Sequence, residues 1–65
     1  MAVDFQLTIK SDNEAFAQDA GAEVARILQA VADMIAAGVE GHMHLMDHNG
    51  NGVGRAVLEV WTEDD

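Results

Sequence analysis

A chain of 65 residues has room for one domain, 1–65, and at that size only about 60% of the unfolded surface is buried on folding, so the stability margin is thin. The absence of cysteine excludes a disulfide framework and a thiolate metal site, and leaves the core alone to hold the fold in a reducing cytoplasm. Twelve Asp and Glu against three Lys and Arg, a net charge of −9, repel nucleic acid and anionic membrane and attract basic proteins, above all those whose grooves hold phosphate backbone.

Val3 to Lys10 alternate strictly, with Val3, Phe5, Leu7 and Ile9 on one face and Asp4, Gln6, Thr8 and Lys10 on the other. This is the period of a half-buried strand. Ser11-Asp12-Asn13-Glu14 breaks the pattern, and Ser11 with Glu14 three residues later fits a capping box for a short helical turn through Phe16. Asp19 is placed to cap a longer helix, with Glu23 in its first turn against the positive helix end. Gly21 argues against one unbroken helix. Val24, Ile27, Leu28, Val31, Met34 and Ile35 form an apolar stripe at spacings of three and four. The helix is expected to end near Ala37, with Gly38 as the left-handed closing residue.

A second strand follows in which Val39, Met43 and Leu45 alternate with Glu40, His42 and His44 up to Asp47. His48-Asn49-Gly50-Asn51-Gly52 reads as a hairpin loop, because these residues tolerate positive φ. A third strand is expected from about Gly54 to Thr62, with Ala56, Leu58 and Val60 toward the helix and Arg55, Val57, Glu59 and Trp61 away from it. As the most continuously apolar strand it belongs in the centre. The expected fold is therefore α+β, in the order β-α-β-β, a three-stranded antiparallel sheet with one main helix on one face. A right-handed parallel crossover that places the second strand centrally is the rival topology. The core is expected to centre on Ile27, Leu28, Val31 and Ile35 with Phe5, Leu7, Leu45 and Leu58.

Several segments bear on chemistry. His42, His44 and His48 are spaced to offer imidazole to zinc or nickel, but no cysteine or clear fourth ligand accompanies them, so exposed strand residues and no metal are expected. Asp47, Asn49, Asn51 and Gly52 match the opening of a calcium loop, yet the twelfth position that needs a bidentate Glu is Leu58, and the exit is a strand. The Gly50–Gly54 run resembles a phosphate loop but feeds a strand where such loops feed a helix N-terminus. Ser11 is the one serine, and no carboxylate pair has a clear reason for displaced titration, so no enzyme and no cofactor are expected. Trp61 falls on the face opposite the helix, near Val57 and Met46, where it serves either as an interface anchor or as cover for its strand neighbours. The start, Met1 to Phe5, lacks the basic and apolar regions of a signal peptide, and no apolar run reaches the roughly 18 residues that span a bilayer, so a cytoplasmic protein without membrane contact is expected.

Three stretches taken together, Leu7 to Phe16, Glu23 to Leu28 and Leu45 to Gly54, resemble small acidic proteins encoded by phages and mobile elements. In length and acidity the chain is most similar among these to anti-CRISPR inhibitors of type I-C systems. That resemblance implies a host-cytoplasmic viral protein that binds the Cascade surveillance complex and blocks its engagement of target DNA by imitating DNA. The expected partner is a Cascade subunit with a basic DNA-binding surface, with no direct nucleic-acid contact, and the protein is expected to be a monomer. The physical argument agrees, since effector complexes hold nucleic acid in positively charged channels that a compact polyanion can occupy. The candidate contact residues are Asp12, Glu14, Asp19, Glu23 and Asp33 on the helical side, with Glu40, Asp47, Glu59, Trp61, Glu63, Asp64 and Asp65 around the sheet and tail. The alternative is a phage structural or regulatory module that binds protein through the Trp61 face or a strand edge, without mimicry. A metal-responsive module is a third class, set apart by zinc uptake that depends on His42.

Overall fold

The computed structural model describes residues 1–12 and 14–63. Asn13 of the predicted capping turn and the candidate charges Asp64 and Asp65 lie outside the described residues. In chain order come β1 (Ala2–Ile9), a short 3₁₀ turn (Glu14–Phe16), α1 (Ala20–Ala36), β2 (Gly41–Met46) and β3 (Gly52–Trp61). The strands form one antiparallel sheet in the order β1-β3-β2. The apolar third strand is central, as its composition indicates, and the crossover topology is excluded. Among the described residues no helix is long and apolar enough to cross a membrane.

The alternation of β1 is realised rung by rung: Val3 lies opposite Val60, Phe5 opposite Leu58, Leu7 opposite Ala56 and Ile9 opposite Gly54. Met43 and Leu45 complete the same face from β2, opposite Ala56 and Gly54. Ile27 and Val31 of α1 close over it, and the buried core is Ile27, Val31, Met43, Leu45, Val53 and Ala56, flanked by the partly buried Leu7, Ile9, Phe16, Met34, Ile35 and Leu58. Asp19 caps α1 through its carboxylate, which accepts from the Ala22 N–H at 2.9 Å. Gly38 closes the helix with φ 98°. The helix runs unbroken through Gly21, contrary to expectation, because Gly21 is its second residue, within the first turn that Asp19 caps, and the cap offsets a single glycine's cost of about 1 kcal/mol.

Two members of the expected core are not in it. Leu28 is 45% exposed and Phe5 is 44% exposed. The buried line on the helix is Glu23, Ile27 and Val31, spaced by four, and Leu28 sits about 100° around the helix from Ile27. Phe5 is left open because α1 lies over the hairpin end of the sheet. Its first turn reaches the β2-β3 loop, and the chain leaves it to enter β2 at Gly41, opposite Leu58. The rungs beyond Leu58 carry no helix, and Val3 there is 66% exposed.

β3 begins two residues earlier than predicted. Leu45 lies opposite Gly54 while Met46 lies opposite Gly52, so Val53 is the extra residue of a β-bulge. Simple alternation would place Val53 with Arg55 on the open face, and the bulge turns it into the core instead. At Gly54 a Cβ would collide with the Thr8 carbonyl of β1, so that position needs glycine. The whole molecule measures 50 × 19 × 18 Å along its principal axes, a rod with the β1-β3 ribbon projecting at one end.

Candidate functional site

Two of the candidate contact acids turn out to be internal. Glu23 is only 6% exposed. Its Oε1 accepts from Arg26 Nε at 2.8 Å, and its Oε2 accepts from Arg26 Nη2 at 3.1 Å and from the His48 backbone N–H at 2.8 Å. Arg26 Nη2 also donates to the Met46 carbonyl at 3.0 Å. The pair pins the first turn of α1 to the hairpin, and the hydrogen bond from Arg26 holds the Glu23 carboxyl below its ordinary pKa against the opposing effect of burial. The same carboxylate raises the pKa of Arg26. Glu23 therefore does not lie on the solvated helix face.

Asp47 is 4% exposed. Its Oδ1 accepts from the N–H groups of Asn49 and Asn51, each at 2.9 Å, and its Oδ2 accepts from Asn51 Nδ2 at 3.3 Å. The Asp47 N–H donates to the Asn51 carbonyl at 2.9 Å, and Gly50 takes φ 85°. The aspartate and asparagines that suggested a calcium loop are thus the hydrogen-bonding groups of a three-residue hairpin connection. The glycines after them enter β3.

The remaining candidates face outward. Asp12, Glu14, Asp19, Asp33, Glu40, Glu59 and Glu63 are exposed, as is Asp4. The register sets Asp4 directly opposite Glu59, on the open sheet face, beside a groove of about 170 Å³ lined by Asp4, Gln6, His42, Arg55, Val57 and Glu59. Asp4 escaped the sequence reading as a contact residue. Its polar face was legible, but its juxtaposition with an acid 55 positions later depends on register. Trp61 lies opposite Ala2 on this same face, 45% exposed, at the ribbon end. Asp12 and Glu14 both lie in the segment between β1 and α1, whereas Asp33 and Glu40 lie on and just beyond the distal half of α1.

His42 and His44 are exposed on the open face and His48 lies in the hairpin loop. Among the described residues no group of three or more His, Asp or Glu is placed to hold a metal ion. Compared with family models, with curated proteins and with solved structures, the chain matches none. The likeness to type I-C inhibitors rests on the quoted residues alone.

Proposed function

We propose that this chain is an anti-CRISPR inhibitor that occupies a basic DNA-binding surface of a type I-C Cascade complex and blocks target DNA by presenting an acidic rod. The observation that carries the reading is the distribution of charge once the internal pairs are set aside. Eight outward acids coat a body 19 × 18 Å in girth, and Arg26 is held by Glu23, so Lys10 and Arg55 are the other basic side chains on that surface.

Magnitude limits the form of mimicry. Nine net charges along 50 Å give one per about 5.6 Å, roughly a third of the duplex density of one per 1.7 Å. The protein therefore substitutes for a short stretch of backbone, such as the duplex beside a basic motif-reading site, and not for a long tract.

Purified complex titrated with the protein across a salt series tests this. Kd is expected to rise at least about tenfold between 50 and 200 mM salt, as for a few phosphate-like contacts. Reversing Asp12 and Glu14 together to Lys, which leaves the bonds of Glu23 and Asp47 in place, is expected to weaken binding far more than neutralising either alone. The exposed Trp61 favours one rival, a protein-binding module with an apolar contact. A flat salt response with binding lost only in Trp61→Ala establishes that rival and removes the mimicry reading.

A further inference from the structure

Among the described residues no strand pairs with the outer edge of β1. β1 pairs with β3 along one side through eight unbroken rungs, Ala2 to Ile9 against Trp61 to Gly54, and no described strand lies on its other side. The Lys10 N–H donates to the Val53 carbonyl at 2.8 Å. In an antiparallel ladder, backbone groups alternate between the two sides. The even residues Asp4, Gln6 and Thr8 therefore bond to β3, and the odd residues Val3, Phe5 and Leu7 aim N–H and C=O outward. Edges of this kind are normally blunted by proline, lysine, a bulge or shortness. The Ala2–Ile9 sequence, AVDFQLTI, has none of these, and Asp4 is its one charged residue.

We propose that this edge is a strand-addition site for an extended protein segment whose side chains alternate apolar and basic. The two faces of the edge dictate that pattern. On the helix side an added strand lies beside Val3 and Phe5, both exposed beyond the reach of α1. On the open side it lies beside Asp4, with Glu59 directly behind. Main-chain hydrogen bonds supply affinity, and alternate side chains supply specificity. A second copy is a poor occupant, because β1 contains no cation to meet Asp4 and each chain carries a net charge of −9. The inference does not depend on which complex the protein inhibits. The test uses synthetic peptides, so failure to bind Cascade leaves it standing, and its own failure leaves the salt experiment standing.

The probe is a capped octapeptide alternating Val and Arg, compared with a peptide of the same composition in two blocks and with one alternating Val and Glu. Backbone amide exchange is followed by NMR on the intact chain. With the alternating Val/Arg probe, the Val3, Phe5 and Leu7 amides are expected to slow at least about tenfold while those of Asp4, Gln6 and Thr8, already bonded to β3, stay unchanged. Phe5→Pro removes one outward N–H at an edge position that tolerates proline and is expected to abolish the effect. The double variant Val3→Lys, Phe5→Lys, which keeps every N–H but places charge on the edge, does the same should the proline variant not fold. Equal binding of the block peptide overturns the proposal, as does protection on β2 in place of β1. Concentration-dependent protection of β1 without any probe overturns it too, by identifying a second copy as the occupant.

Discussion

Glu23 shows how one side chain changes role between sequence and fold. Its carboxyl is held below the ordinary range chiefly by the Arg26 hydrogen bond, aided by the His48 N–H. A group whose folded pKa is depressed contributes stability above its unfolded value, near 4.3, and loses it as pH falls through the folded value. Glu23→Gln is therefore expected to lower Tm at pH 7, with the gap from the native protein closing as melts are repeated below about pH 4.3. A gap that stays constant with pH would show that the carboxylate's charge is irrelevant. Reversal of Glu23 to Lys, harmless on a solvated face, is now expected to destabilise the fold. Asp47→Ala strands two loop N–H groups in the same way and is expected to cost about 2–3 kcal/mol in denaturant unfolding. The Asp19 cap was readable in advance because its partner is three residues away. Glu23 has one partner three residues away, Arg26, and another 25 residues away, the His48 N–H, and no local pattern encodes the second.

At the level of elements, the helix stripe and the strand alternation were both legible, because each follows from a period. What periodicity leaves open is which part of a stripe the sheet covers. Ile27→Ala is expected to cost about 2–5 kcal/mol, as a cavity in the core. Leu28→Ala, one position along, is expected to cost about 1 kcal/mol or less because its side chain is already half in water. Equal losses in thermal melts of the two variants would show that α1 is rotated from this placement. The bulge at Val53 was hidden for a different reason. It is a mismatch between two strands, visible only once both registers are known. Gly54→Ala tests the tight crossing beside it, and collision with the Thr8 carbonyl is expected to cost about 3 kcal/mol or more, or to prevent folding. The same substitution at Gly52, where a Cβ meets nothing within 4 Å, is expected to cost far less.

For the whole molecule, salt has two opposed effects. Self-repulsion of a chain at −9 is screened over about 8 Å at physiological ionic strength, so Tm is expected to rise with added sodium chloride while affinity for a basic partner falls. A Tm that falls instead would mean that the Glu23–Arg26 pair and its neighbours outweigh the net repulsion. The pairing of Ala2 with Trp61 has a further consequence, for the order in which the chain can fold as it is made. β1 leaves the ribosome before α1, β2 and β3, yet the described strand it pairs with is β3, the last of these to be made. The helix and β2 can meet early through local contacts, but the first strand must wait for the loop joining the two ends of the sheet to close, a contact of high sequence separation and therefore slow. Throughout that wait a strand with one apolar face stands unpaired on the nascent chain, and a net charge of −9 opposes its pairing with a neighbouring copy.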